Sequence, residues 1–480
     1  MKSKKNFKIY LGIDIGTSKI CVLALNSYSI KPVEIISEKN FSVVKTEKDF
    51  SEQDPKIIKQ ITFDLINKIR KKIKFPISGI GITGQMHGML FVDKNLKPLS
   101  NLITWQDKRS KNLIEEIQHK TKGIEFSECG CYIKPGYMGS TLYWFYKNNL
   151  VPKNIYKVCF IHDWLGACLT QHNEIFTDPT DAASSGIFNI KKMDWHWNFI
   201  EKLRIKKEIF PTIKNSGEII GFTKEGIPVA CAFGDNQASI FGSVTYNNLV
   251  ADSSGSVIKT NGSNFGKTEM KTYFENNLNK LWRECIIINI GTGSQVSVIL
   301  DKFVKFREGL ELRPYIDGKY ILVGASLNGG SIYSVLKDFF ITAGKSFWKI
   351  KQENIFETMN KLASKIPFGC DGLVCEPYFF GERINEELKA SFVGLDINNF
   401  TVSHFCKAIL EGMIRILYNY YKSMKQNRKY IIGSGNAIKR NEVLQKIIKQ
   451  TFNMELKLNL IDEEAAYGAA LLSFRRDIQC

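Results

Sequence analysis

Asp235 follows the apolar run Val229–Phe233 and precedes Asn236-Gln-Ala-Ser239. A carboxylate at the carboxyl end of a buried strand faces the crevice in which α/β proteins bind ligands. Placed there it can act as a general base, taking a proton from an attacking hydroxyl. The same residue also suits the N-cap of a following helix, and the two roles are compatible. Upstream, Asp14-Ile-Gly16-Thr17-Ser18-Lys19 joins a strand-end carboxylate to a glycine turn. Glycine lets the backbone approach a phosphate, and successive N–H groups with the Thr and Ser hydroxyls form an anion cradle. Asp14 is then placed to hold Mg²⁺, directly or through water. An ordinary hairpin turn uses the same residue types. A second cradle at Gly291-Thr292-Gly-Ser294 changes the balance, because phosphoryl transfer needs donors on both sides of a triphosphate.

Two further segments gather polar donors and an aromatic ring: Gly84-Gln85-Met86-His87-Gly88 and Thr104-Trp105-Gln-Asp107-Lys-Arg109. A flat apolar face for C–H groups, with Asp, Gln, His and Arg for hydroxyls, is the equipment of a sugar site.

The elements that must position these residues are legible as patterns. Residues 8–14 and 20–25 are β-rich runs around the first glycine turn, which predicts a hairpin. Ile286–Leu300 repeats strand, Gly-Thr turn and strand. Two such hairpins, each opening one half of the chain, predict a duplicated architecture with a cleft between the halves. Between them, residues 54–72 read as an amphipathic helix, Ile77–Ile82 as a buried strand and Pro228–Phe233 as another. Ala408, Ile409, Gly412, Met413, Ile416 and Leu417 mark one helix face, Tyr430 begins a strand, and Glu442–Gln450 is helical. This alternation predicts an α/β class. Residues 244–284, rich in Asn, Ser, Gly and Lys, read as a partly ordered surface insertion between an N-terminal domain, 1–243, and a C-terminal domain, 285–480.

Composition excludes several function classes. A chain of 480 residues exceeds one ordinary core. The net charge of +18 comes from lysines spread along the chain rather than one basic face, so no nucleic-acid partner is expected. The 11 cysteines are scattered, several in apolar runs, which predicts reduced core thiols. No apolar run reaches the roughly 20 residues a membrane span needs. The basic start runs directly into a strand without a signal-peptide core, so a cytoplasmic protein is expected, monomeric or homodimeric.

The motifs occur in the order found in a known family. Asp14-Ile-Gly-Thr-Ser, Gly84-Gln-Met-His-Gly, Thr104-Trp-Gln-Asp-Lys-Arg, Thr177-Asp-Pro-Thr-Asp-Ala-Ala, Gly234-Asp-Asn-Gln-Ala and Ile290-Gly-Thr-Gly are followed by Leu327-Asn-Gly-Gly, Gly381-Glu-Arg, Ala408-Ile-Leu-Glu-Gly, Gly433-Ser-Gly-Asn and Glu464-Ala-Ala-Tyr-Gly-Ala-Ala. The whole chain resembles the FGGY carbohydrate kinases. The resemblance implies two RNase H-like, actin-like ATPase domains and transfer of phosphate from ATP, with Mg²⁺, to a sugar. It implies Asp235 as the base and Asp14 as the Mg-linked carboxylate. It places Gly433, Ser434, Gly435 and Asn436 near adenine, Gly291 and Thr292 at the phosphates, and Gly329 and Gly330 along the nucleotide wall. Gln85, Met86, His87, Trp105, Asp107, Asp235 and Asn236 line the sugar pocket. Met86-His87-Gly88, Trp105-Gln-Asp and His162-Asp-Trp resemble the sedoheptulokinase form, with xylulokinase the nearest alternative. The insertion and the Gly291-Thr-Gly-Ser turn depart from the commoner pattern. The same fold also serves actin-like filaments and chaperone ATPases, so a non-catalytic nucleotide-dependent sensor is the alternative of a different class.

Overall fold

The computed structural model describes residues 8–249, 278–348, 354–383, 385 and 387–479. Its frame is two mixed sheets of matching design. In the first, β1 (Ile9–Ile15), β2 (Lys19–Asn26) and β3 (Pro32–Lys39) form an antiparallel meander. β4 (Ile77–Gly84) pairs parallel with β1, and beyond it lie β5 (Ile219–Phe222), β6 (Pro228–Ala230) and β7 (Phe233–Gly234). The order is β5-β6-β4-β1-β2-β3, with β7 also pairing with β4. The second sheet repeats this plan. β8 (Cys285–Ile290), β9 (Ser294–Leu300) and β11 (Tyr320–Ser326) form the meander, with β10 (Glu311–Pro314) on its edge. β12 (Tyr430–Ser434) and β13 (Glu455–Leu458) run parallel on the other side, giving the order β10-β11-β9-β8-β12-β13. The duplication expected from the two hairpins is present.

β1 is buried along nearly its whole length, which is why it reads as a continuous apolar run rather than an alternating one. α1 (Pro55–Lys72) starts where Asp54 caps the Lys56 N–H and Pro55 occupies the first turn, and ends in Arg70, Lys71 and Lys72, which complement the helix dipole. Its apolar stripe, Ile58, Ile61, Leu65, Ile66 and Ile69, seals one face of the first sheet.

Four more helices flank the strand ends: α2 (Ile161–Leu169), α3 (Pro179–Ser184), α4 (Asp235–Leu249) and α5 (Gly330–Trp348). The helix expected around Ala408 is α6 (Val402–Met424), followed by α7 (Asn436–Lys439), α8 (Glu442–Phe452) and α9 (Glu464–Gln479). α4 and α9 form a layer between the sheets, in a core holding Tyr10, Leu23 and Leu25 from the first sheet and Ile287, Ile321 and Ile432 from the second. α9 packs so closely on the first sheet that a Cβ on Gly12 would lie 1.8 Å from the Ala466 carbonyl oxygen, and one on Gly81 2.0 Å from that of Ala469. The last helix of the chain therefore buttresses the first sheet.

Two expectations need correction. The Pro228–Phe233 strand is broken: Cys231 and Ala232 leave the ladder, and the chain re-enters at β7 to deliver Asp235 at the first turn of α4. Residues 244–249 are not irregular but continue α4, and residues 278–284 are helical with Leu278 and Trp282 buried. The remainder of the expected insertion, 250–277, lies outside the described residues. Among the described residues, no helix is long and apolar enough to cross a membrane.

Candidate active site

Asp235 begins α4 at the end of β7, partly buried. Burial pushes its carboxyl up to about 6, against the opposing pull of the Asn236 backbone N–H, His162 and Arg313. Asp235 is thus the first helical residue of α4, one position inside the N-cap place expected for it. Asp14 ends β1, the strand central to the same sheet. Burial pushes it up to about 8, and the neighbouring charges of Asp235 and Glu463 add to this while Lys19 opposes. Its Oδ1 is buried without a hydrogen-bond partner. Two carboxylates within reach of each other's charge, one with a free covered oxygen, are donors suited to a hard cation.

The first turn, Gly16-Thr17-Ser18, closes with the Gly16 N–H on the Lys19 carbonyl. Thr17 Oγ1 accepts the Trp105 indole N–H at 3.0 Å and donates to Gln85 Oε1 at 3.0 Å. Gln85 in turn donates to Gln53, whose amide donates to the Thr17 carbonyl. One hydroxyl thus ties the anion turn to two residues of the expected sugar wall. Trp105 keeps 47% of its surface exposed, leaving a ring face open. Lys19 is paired with Glu463 at 2.6 Å.

His87 takes a left-handed backbone, φ 73°, unusual for a side chain with a Cβ. Its backbone N–H donates to Ser184 Oγ, and Nδ1–H donates to the Ser184 carbonyl at 2.7 Å. The ring stacks on Tyr137 at 4.3 Å. Burial, helped by Arg313, holds the imidazole down at about 3, so it is neutral and Nε2 is left as an acceptor. Met86 packs against Gly234, where any side chain would strike its terminal methyl.

Asp107 does not join this group. Its carboxylate, almost fully buried, accepts the Ser51 and Arg109 backbone N–H groups and two bonds from the Arg109 guanidinium. Arg109 also pairs with Glu52 and lies over the Phe50 and Trp144 rings. With every lone pair engaged, Asp107 and Arg109 anchor the loop that presents Trp105, which corrects the expectation that Asp107 faces the sugar.

The second half carries the Gly291–Gly293 turn, closed by the Gly291 N–H on the Gly293 carbonyl. Gly330 N–H and Ser331 N–H, at the start of α5, bond the Gly291 and Thr292 carbonyls. A Cβ on Gly329 would sit 2.2 Å from Gly293 backbone atoms, so Gly329 and Gly330 brace the turn from beneath. Gln295 Nε2 donates to Asn236 Oδ1 at 2.6 Å, joining this hairpin to the residue after Asp235. Gly433 and Ser434 are buried at the end of β12, and Gly435, at φ 89°, leads to exposed Asn436 at the start of α7. Lys439 at the end of α7 pairs with Glu464, next to the Glu463 that holds Lys19. The segment 459–464 therefore links the expected adenine end to the first turn.

Residues without a sequence motif complete the site. Glu311, on β10, pairs with Arg313, Lys134 and Arg383. Burial alone would raise its carboxyl, but the three cations outweigh burial and hold it well below the usual carboxylate range. Tyr137, stacked on His87, has a buried hydroxyl with no partner. A cavity of about 660 Å³, lined by Cys131, Tyr132, Lys134, Gly186, Glu311 and Arg383, opens between the two halves beside this group. Asp14 and Asp235 do not line it, so it adjoins the carboxylate centre rather than containing it. His162, Asp163 and Asp181 form a buried cluster whose charges bear on Asp235. His162 Nε2 lies 2.7 Å from Asp181 Oδ2, closer than the roughly 3.3 Å between ligands around a tetrahedral metal. It is a direct pair, with burial driving both groups toward their neutral forms.

Comparison with known proteins shows the family and the fold. The models of the FGGY family of carbohydrate kinases match residues 9–242, for the N-terminal domain, and 286–476, for the C-terminal domain. A xylulose kinase of Haemophilus influenzae is 26% identical over 96% of this chain and 90% of its own. The sedoheptulokinase of Mus musculus is 23% identical over 98% of both. The crystal structure of xylulose kinase from Rhodospirillum rubrum superposes with a TM-score of 0.81 at 18% identity, covering 97% of this chain and 89% of that one, which shows a shared fold. The two matched sheets, the paired turns and the family models lead to one assignment: this chain belongs to the FGGY family of carbohydrate kinases, ATP-dependent phosphotransferases with a two-domain α/β fold.

Proposed function

We propose that this chain transfers the γ-phosphoryl group of ATP to a ketose, with sedoheptulose as acceptor and sedoheptulose 7-phosphate as product, and with Asp235 as the general base. The observation that carries the reading is the position of Asp235: a strand-end carboxylate near neutrality in its titration, bordered by His162 and Arg313 and joined through Asn236 to the second anion turn. In this reading residues 1–243 supply the sugar and metal contacts, and residues 285–480 supply the nucleotide contacts.

The acceptor lies against the open face of Trp105, with His87 Nε2 and the Tyr137 hydroxyl as partners for its hydroxyls. Asp235 takes the proton of the attacking hydroxyl as the oxygen approaches phosphorus, a contribution of about 10² to 10⁴ in rate. The turns at Gly16–Ser18 and Gly291–Gly293 hold the phosphates by backbone N–H groups, and Gly435 and Asn436 border the base. Asp14 is the residue whose unpartnered oxygen fits Mg²⁺. Bound there, the ion would neutralise phosphate charge. Closure of the two halves excludes water, so that the sugar rather than solvent is phosphorylated.

The room in the cavity bordered by Lys134, Glu311 and Arg383 supports a long acceptor over a short one. A second reading has its own observation: three cations, Lys134, Arg313 and Arg383, surround the single carboxylate Glu311, an excess of positive charge that favours an acceptor bearing a carboxylate. A coupled ADP-release assay over sedoheptulose, xylulose, ribulose, fructose, gluconate and glycerol tests both. The highest kcat/KM with sedoheptulose is expected. A clear preference for gluconate selects the second reading, and a preference for xylulose overturns the heptulose.

A further inference from the structure

The motif Thr177–Ala183 has no part in the proposed chemical step, yet the helix it forms touches both ends of the acceptor site. Thr180 Oγ1 accepts the Gly234 N–H at 2.9 Å, immediately before Asp235. The Thr180 hydroxyl donates in turn to Asp178 at 2.8 Å, and Asp178 also accepts the Asp181 N–H and the Ser216 hydroxyl. Every member of this chain is buried. From the other side, Thr83 donates to the Phe233 carbonyl at 2.6 Å. Both polar groups of the Phe233–Gly234 peptide are therefore held by side chains, at the point where the broken strand would otherwise leave the direction of Asp235 loosely determined. One turn further along α3, Ser184 takes both the backbone N–H and the Nδ1–H of His87, which keeps that residue in its left-handed conformation.

We propose that α3 is the positioning element of the acceptor site: Thr180 fixes the catalytic carboxylate of Asp235, and Ser184 fixes His87 against the acceptor. This rests on the reading of Asp235 as the base. Neither Thr180 nor Ser184 touches the reacting atoms; each acts through the residue it holds. Because the two contacts serve different steps, their loss separates kinetically. A displaced base slows the chemical step, and a displaced His87 weakens acceptor binding.

The test is steady-state kinetics on the full chain for Thr180→Val, Thr180→Ser, Ser184→Ala, Ser216→Ala and, as reference, Asp235→Ala. Displacement of a reacting group by an ångström costs roughly 100-fold, so Thr180→Val is expected to lower kcat roughly 30- to 100-fold with both KM values within roughly twofold. Thr180→Ser, which keeps the hydroxyl, restores kcat to within roughly threefold of wild type. Ser184→Ala is expected to raise the acceptor KM several-fold and leave the KM for ATP unchanged. Where Thr180→Val does not fold, Ser216→Ala carries the test by loosening Asp178 from its far side, with a smaller fall in kcat at unchanged KM. Wild-type kcat in Thr180→Val, or in Ser216→Ala where that variant stands in, overturns the proposal, as does a serine variant no better than valine. Full turnover in Asp235→Ala would instead remove the base assignment itself, so the two failures are distinguishable.

Discussion

Gln295 Nε2 donates to Asn236 Oδ1 over 2.6 Å, and this single bond joins the second hairpin to the residue that follows Asp235, the proposed base. It brings an element of each sheet to the same point. Gln237 adds a second tie one residue on, from its Nε2 to the Pro314 carbonyl. Replacing Gln295 by Leu removes the donor and leaves Asn236 turned toward an apolar group. A fall in kcat of roughly tenfold is expected, with a stability loss of about 1 kcal/mol. Stopped-flow turnover and denaturant unfolding of the variant check both numbers.

As the proposed base, Asp235 is expected to set the acid limb of the pH profile. A base must be ionised to work, and this carboxyl is raised to about 6 by burial. Log kcat/KM is therefore expected to fall with unit slope below about pH 6 and to level off above it. The same shift has a stability sign. The folded state binds the proton more tightly than the unfolded chain, so the contribution of this group is favourable below the ordinary carboxylate range and is lost as pH rises through about 6.

Glu311 works in the opposite direction. Although burial raises its carboxyl, Arg313, Lys134 and Arg383 hold it far down, so its stabilising contribution is present above the ordinary carboxylate range and is lost as pH falls toward its folded value. Glu311→Gln leaves Arg313 buried beside a neutral partner. Breaking such a pair costs about 3 to 5 kcal/mol. Urea unfolding at pH 7 should show that loss, and at strongly acid pH the variant and the parent should converge.

The contact of the last helix with the first sheet makes a steric prediction. Gly81→Ala would put a methyl group 2.0 Å from the Ala469 carbonyl, and Gly468→Ala would put one 2.0 Å from that of Ala238, where α9 meets α4. In both cases the obstacle is backbone, which cannot rotate away. Each variant should lose about 3 kcal/mol or more and express largely insoluble. Thermal unfolding of whatever remains soluble measures the difference.

What could be read from the sequence depended on whether a residue's neighbours were also its partners. The hairpins around Gly16 and Gly291 were legible because strand, turn and strand are contiguous. Asp235 was legible because the strand and helix that flank it are contiguous too. Asp107 was misread for a related reason: Asp-Lys-Arg has the composition of a sugar-binding set, and the pattern does not reveal that Arg109 folds back onto Asp107 and satisfies it. Glu311 and Arg313 gave no signal, since they reach His87 from a strand over two hundred residues away. The crossing of α9 onto the first sheet left a faint trace in the small residues Gly12, Gly81, Ala466, Ala469 and Gly468, whose meaning appears only once the helix is seen lying across the strands.

The most direct measurement is made on Asp235→Ala: acceptor-dependent ADP release, read beside nucleotide affinity by equilibrium titration. Sugar phosphorylation is expected to drop by at least about 10² while ATP binds with its ordinary affinity. Phosphosugar formed at the parent rate by that variant would contradict the assignment.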